Sequence, residues 1–172
     1  MTDTATRIAA GLEQAFVEFG FAEPAVETLR EAAGVSMRTL YKYTPSRDDM
    51  VLSALEHRHR RYLEHIFGGL PDTGPGALAE IISRIAQWMA QEAPRGCLFH
   101  AAVAAAPQNE RLRELLKHHK AEVASRAARA AGIEDRELDL SLIFEGLTQS
   151  WPLHGEAAAN SARSLTESLF AG

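Results

Sequence analysis

Hydrophobic residues recur at helical spacing along most of the chain, and no segment alternates between apolar and polar positions as a half-buried strand would. Most of the glycines and prolines fall between the periodic segments, where these residues end helices. Pro152, for example, is expected to end one of them. We therefore predict an all-α fold with helices over residues 7–19, 26–33, 37–43, 47–67, 77–91, 109–131, 137–151 and 156–170.

Two segments carry a further expectation about burial. The first helix has its apolar stripe on one side and Glu13, Gln14 and Glu18 on the other, so these three side chains are expected to face water. Residues 97–106 are almost wholly apolar, and we expect them to lie in the middle of the C-terminal body.

The most informative stretch is AVETLREAAGVSMRTLYKY, residues 25–43, in which two short helical patterns are separated by three residues. Gly34 follows the first pattern, where a helix often ends in a positive φ that glycine adopts without a steric clash. Ser36 precedes the second and is placed to accept a bond from an unpaired amide as its N-cap. A helix, a glycine turn and a capped helix together predict a helix-turn-helix.

The second of these helices has the chemistry of a DNA-reading helix. Arg38, Thr39 and Lys42 point outward, while Leu40 packs inward. In the major groove, arginine and lysine bind guanine edges, and threonine contacts a thymine methyl or a phosphate. Any small helical hairpin on a surface has a similar pattern, so the pattern alone leaves both interpretations open.

Residues 7–50, and most closely AAGVSMRTLYKYTPSRDDM at 32–50, resemble the DNA-binding domain of the TetR family of bacterial transcription regulators. The resemblance covers about a quarter of the chain. It implies an N-terminal three-helix DNA-binding domain followed by a helical domain for ligand binding and dimerisation. We predict DNA contacts from Ser36, Met37, Arg38, Thr39, Tyr41, Lys42, Tyr43 and Arg47.

Within that set, Tyr41, Tyr43 and Arg47 match family positions that contact phosphates, although Tyr41 could instead be a core residue with only its hydroxyl at the surface. The chain departs from the family where Pro24 and Ala25 replace a hydroxyl pair at the start of the first helix of the motif. That departure argues against a phosphate contact there. Further departures are Arg30 in place of a small residue and Thr44 in place of phenylalanine.

The chain divides into segments of different character. Residues 1–46 are the predicted helix-turn-helix domain, 47–67 a connecting helix, 68–76 a linker rich in glycine and proline, and 77–172 a regulatory and dimerisation domain. The formal net charge is −5, yet residues 36–61 carry six basic and three acidic side chains, against ten and thirteen over 66–172. This distribution favours one basic face on an acidic body rather than general coating of nucleic acid.

The last two helices are candidates for a homodimer interface. A two-fold dimer places two recognition helices in successive major grooves, ~34–36 Å apart, and so fits a palindromic DNA operator. The resemblance implies a four-helix interface from these elements, whereas a simpler interpretation is that both close the core of the monomer. An unknown small-molecule effector is expected in an apolar pocket lined by Trp88, Met89, Phe99, His100, Phe144, Leu147 and Trp151, although each of these is also an ordinary core residue type.

Other chemistries find less support. The closely spaced histidines lack the i,i+4 geometry of a helical metal site, and no motif predicts a catalytic residue, a metal or a cofactor. Cys97, the single cysteine, is expected to be structural and buried. With no apolar run of membrane length and no signal-peptide pattern, the chain is predicted to be cytoplasmic. We therefore expect a ligand-responsive repressor. The alternatives are a helical interaction module without DNA binding or a bundle enzyme using Cys97 or Glu145 together with His100.

Overall fold

A computed structural model describes residues 3–70 and 73–170, so Pro71 and Asp72 of the predicted linker and both chain ends lie outside the described residues. Within these ranges the structure has nine α-helices, one short 3-10 helix and no strand, which confirms the all-α prediction. The α-helices are α1 (Asp3–Phe19), α2 (Val26–Ala33), α3 (Met37–Tyr43), α4 (Arg47–Phe67), α5 (Pro75–Glu92), α6 (Leu98–Ala105), α7 (Glu110–Ala131), α8 (Glu137–His154) and α9 (Glu156–Ser168).

Several predicted helix boundaries were wrong, three of them with an informative cause or consequence. The first helix begins at Asp3, four residues early, and α5 begins at Pro75, because proline fits the first turn of a helix, where its missing N–H is not needed. Pro152 lies inside α8 instead of ending it. That helix runs to His154 and is capped by Gly155, which has a φ of 52° and whose N–H donates to the carbonyl of Trp151. None of the described helices combines the length and apolarity that a membrane span requires.

The chain forms two compact units. Of the described residues, the first contains those up to Arg61 together with Leu98–Leu116, and the second contains those of Tyr62–Cys97 and those from Lys117 onward. Helix α6 therefore belongs with the N-terminal residues, and the expectation that 97–106 lies in the middle of the C-terminal body was wrong. Only Phe99 and Ala102 of α6 are buried. The apolar character of this run comes largely from alanines, whose small side chains are tolerated at the surface.

The core of the first unit is built from the apolar stripes of its short helices. Phe16 stacks on Phe21 with ring centroids 5.0 Å apart, which closes the turn after α1. Neither α2 nor α3 is long enough to be stable alone, so their orientation depends on this packing. The fully buried large side chains here are Ile8, Leu12, Phe16, Leu29, Leu40, Met50 and Leu55.

The second unit has a continuous apolar core in which α5 and α9 pack closely, as do α8 and α9. Tyr62 packs edge to face against Trp88, with centroids 5.2 Å apart. Arg84 of α5 donates to the carbonyls of Ile66 and Gly68 at 3.2 and 2.8 Å, and so satisfies carbonyl groups that the end of α4 leaves without helical partners.

Candidate nucleic-acid interface

The turn between α2 and α3 has the geometry that the sequence predicts. Gly34 has a φ of 63°, in the left-handed region, and its N–H donates to the carbonyl of Glu31 at 3.0 Å. Ser36 is the N-cap of α3, because its Oγ accepts from the backbone N–H of Thr39 at 3.1 Å. The hydroxyls of Ser36 and Thr39 also share a hydrogen bond of 2.9 Å. Both predictions, the glycine turn and the serine cap, are confirmed.

Helix α3 has one buried side chain, and its other side chains are at least partly accessible to solvent. Leu40 is completely buried, whereas Arg38 and Lys42 are exposed and Met37 and Thr39 are half-buried. Tyr41 and Tyr43 expose 43% and 38% of their surface, so Tyr41 is not a core residue. The Nζ of Lys42 lies 5.7 Å from the centre of the Tyr43 ring, a cation–π distance. The helix therefore offers two cations and two aromatic rings on its accessible surface.

Arg47, the last residue of the predicted contact set, has a positioning role within the protein. Its Nη1 donates to the carbonyl of Pro24 at 2.9 Å and its Nη2 to that of Phe21 at 2.8 Å. Both carbonyls lie in the segment that leads into α2. The first residue of α4 is thereby fixed to the entry of the helix-turn-helix, and the planar guanidinium suits such paired bonds.

Gly11 is a second positioning residue, which sequence reasoning missed. It lies in the middle of α1, and a Cβ there would collide with the backbone of Ala32 and Ala33 at the end of α2. Backbone atoms cannot move aside as a flexible side chain can, so only glycine permits this close approach of α1 and α2. The one available indication in the sequence was a glycine inside an otherwise continuous helical pattern.

Glu13 was predicted to face water and is instead buried, with 3% of its surface exposed. Its Oε1 accepts from Nη1 of Arg58 at 2.9 Å and from Nη1 of Arg61 at 2.7 Å, and its Oε2 lies 2.7 Å from Nδ1 of His57. These three partners share one side of α4, and together they offset the cost of burying a carboxylate. The basic run RHRR at 58–61 was the feature that could have suggested an acidic partner.

The start of α4 contains the predicted capping arrangement at Ser46 and Asp49. Asp49 N–H donates to Ser46 Oγ at 3.1 Å, and the Ser46 hydroxyl donates to Asp49 Oδ2 at 2.6 Å. Asp49 Oδ1 also accepts from Nη1 of Arg111 at 2.9 Å. The hydrogen bond from Ser46, and then that from Arg111, hold the pKa of the Asp49 carboxyl below its ordinary value.

The predicted effector residues fall into different environments. Trp88, Met89, Phe144 and Leu147 are buried in the core of the second unit, and Trp151 is partly buried against it. Phe99 and His100 lie on α6 in the first unit, where Phe99 is buried and His100 is half-buried. Cys97 is also half-buried rather than buried, so the expectation of a fully buried thiol was wrong.

An apolar groove of about 500 Å³ lies along α8 and α9. Its floor consists of small residues, including Gly146, Ala158 and Ala162, and exposed leucines border it. Leu142 and Leu165 expose 64% and 53% of their surface. Exposed apolar grooves of this kind often mark sites where proteins bind partners, which makes this face a candidate contact surface. Leu147 is the one predicted effector residue that lines the groove.

The chain has the fold of solved TetR-family structures. It superposes on a TetR-family transcriptional regulator from Streptomyces coelicolor with a TM-score of 0.77 and 19% identity, over 98% of this chain and 95% of that one. A TetR transcription regulator from Haloarcula marismortui gives 0.75 and 17%, over 98% and 96%. Salmonella enterica GusR gives 0.70 and 22%, over 98% and 96%. No protein-family model and no curated protein matches the sequence.

Proposed function

We propose that this protein is a sequence-specific, double-stranded DNA-binding transcription regulator. The observation that carries the proposal is the arrangement of α3, where buried Leu40 and the Ser36 cap hold the helix while Arg38 and Lys42 remain exposed. A short, rigidly held helix with exposed cations fits the major groove. The overall likeness to TetR-family regulators adds support from the fold.

The contacts divide into base recognition and phosphate binding. Arg38 and Lys42 are proposed to reach base edges, because their side chains are long, cationic and exposed. The hydroxyls of Tyr41 and Tyr43 are proposed to bind phosphates on either side, and Met37 is proposed to contact a thymine methyl. Ser36 and Thr39, at the start of α3, are proposed to approach the sugar-phosphate backbone of the DNA. Arg47 acts mainly by holding the segment that leads into α2 in place.

The DNA-binding form is proposed to be a homodimer that joins through the groove on α8 and α9. The small residues of the groove floor allow a helix of a second copy to approach closely, and the exposed leucines would be covered in the process. A two-fold dimer requires a palindromic operator with half-sites ~34–36 Å apart, about one turn of the duplex.

Regulation is proposed to follow from ligand binding in the second unit, in the cytoplasm. The protein would occlude a promoter as a repressor, and a small apolar or amphipathic ligand would release it. Such a ligand must bind more tightly to a conformation whose recognition helices no longer match successive grooves. Trp88, Met89, Phe144, Leu147 and Trp151 are the proposed contacts, since all five belong to the core of this unit or pack against it. Phe99 and His100 lie in the first unit and are not part of this proposed site.

The alternatives are a helical interaction module that has lost DNA binding and a bundle enzyme. One experiment separates them from the regulator: fluorescence anisotropy with labelled duplexes that tile the DNA flanking the gene, at several salt concentrations. A regulator binds one duplex tightly, and its affinity falls steeply as the salt concentration rises, linearly on a plot of log affinity against log salt concentration. Salt-insensitive binding, or none, would exclude it.

Charge-matched variants make the test specific to α3. Lys42→Ala is expected to weaken binding by about tenfold, whereas Lys117→Ala, an exposed lysine on α7, should leave it within about twofold. Both changes remove one positive charge, so a general electrostatic effect would affect them equally. Equal losses in the two variants would count against α3 as the recognition helix.

A further inference from the structure

An ion pair joins two helices that are distant in the sequence. Arg111, in the first turn of α7, donates to Oδ1 of Asp49, in the first turn of α4, at 2.9 Å. Both residues belong to the first unit. The other oxygen of Asp49 accepts from the Ser46 hydroxyl. One carboxylate is therefore bonded both to the residue that caps α4 and to α7.

The same turn of α4 also holds the entry to the helix-turn-helix. Arg47, two residues before Asp49, donates to the carbonyls of Phe21 and Pro24, in the segment that leads into α2. Residues within one helical turn keep fixed relative positions because the backbone hydrogen bonds hold them. Polar contacts thus run from Arg111 through the start of α4 to the start of α2.

Helices α4 and α7 are the two elements whose residues fall in both units. Arg47–Arg61 and Glu110–Leu116 belong to the first unit, and the remaining residues of each helix belong to the second. The ion pair joins the first turns of these two helices. It is largely exposed, with 65% of the Arg111 side chain and 27% of that of Asp49 accessible, so its removal should not unfold the protein.

We propose that Arg111 is a positioning residue for DNA binding: paired with Asp49, it fixes the first turn of α7 to α4 and thereby sets how α2 and α3 are held. This role rests on the proposed function and adds a means of regulation to it. A displacement of the first turn of α7 would reach the recognition helix through the ion pair and Arg47. A small free-energy difference suffices, because regulation requires only a shift between two conformations.

The test compares Arg111→Gln with Arg113→Gln in the full chain, by anisotropy with the duplex that the unaltered protein binds best. Arg113 lies two residues further along α7 and pairs with Glu110 of the same helix, so its loss removes the same charge without touching α4. Arg111→Gln is expected to bind about threefold to fivefold more weakly than Arg113→Gln, the change that follows from losing an exposed ion pair. Thermal unfolding of the two variants should be alike.

A double-mutant cycle with Asp49→Asn identifies the partner. In that background Arg111→Gln should cause no further loss, and Arg111→Lys alone should recover part of the affinity. Equal affinities of Arg111→Gln and Arg113→Gln, with intact binding by the unaltered chain, would overturn the positioning role and leave the proposed function standing. A loss that persists in the Asp49→Asn background would mean direct DNA contact by Arg111, and would also overturn it. Absence of salt-dependent binding by the unaltered chain would overturn both proposals.

Discussion

Glu13 of α1 and Arg58 of α4 form an ion pair of 2.9 Å in which both side chains are almost completely buried. Arg61 and His57 also pair with the carboxylate of Glu13. The pair fixes the long helix α4 to the first helix of the unit that presents α3. Removing one member of such a pair leaves the other charge buried without compensation, which costs far more than the intact pair contributes.

Glu13→Gln is therefore expected to lower the free energy of unfolding by about 3–5 kcal/mol. Urea denaturation followed by circular dichroism measures this loss. Glu23→Gln, an exposed glutamate in the turn after α1, removes the same charge and should change stability by less than about 0.5 kcal/mol. If the two variants proved equally stable, Glu13 would not be the organising charge of this unit.

Arg47 offers a test of positioning against direct contact. Arg47→Ala should destabilise the protein by about 1.5–3 kcal/mol, because hydrogen bonds from a charged group to two carbonyls are lost. The slope of log affinity against log salt should stay unchanged in Arg47→Ala. Arg38→Ala, which removes a proposed base contact, should instead relax the sequence preference at one operator position. A reduced slope in Arg47→Ala would instead assign Arg47 a phosphate contact.

The groove on α8 and α9 predicts a specific effect on assembly. Leu165→Glu places a charge on the groove border and should convert the proposed dimer to a monomer in sedimentation equilibrium. Leu153→Glu is the matched control, since Leu153 is 80% exposed on α8 but does not line the groove. Helical content should be unchanged in both variants. Dimers that survive Leu165→Glu but not Leu153→Glu would place the interface elsewhere.

The lowered pKa of Asp49 predicts part of the acid sensitivity of the fold. Because the carboxyl has a lower pKa folded than unfolded, it contributes stability above its unfolded pKa and loses that contribution as the pH falls through its folded pKa. Asp49→Asn should therefore reduce the fall in thermal midpoint below about pH 4. Asp48→Asn, which changes a neighbouring exposed aspartate, should leave the decrease in thermal midpoint at low pH as it is in the unaltered protein. An unchanged acid profile in Asp49→Asn would contradict this assignment.

Features set by local chemistry could be predicted from the sequence. The turn at Gly34, the cap at Ser36 and the buried position of Leu40 follow from residue type and spacing, and the structure has all three. Features set by long-range contacts could not. The burial of Glu13 depends on partners more than forty residues away, and the need for glycine at position 11 depends on the backbone of α2. Helical periodicity places a residue on a face but does not say which element covers that face.

Helix α4 directs much of its positive charge toward the protein's own carboxylate and carbonyl oxygens, since Arg47, Arg58 and Arg61 all bond internally. The cationic area left for a nucleic acid is correspondingly small, on a chain that is acidic as a whole. In the proposed DNA-binding role, a chain with a net charge of −5 would experience little long-range attraction to bulk chromosomal sequence. Fewer copies of the protein would be bound at non-specific DNA sites, so a small number of copies per cell would suffice to keep one promoter occupied.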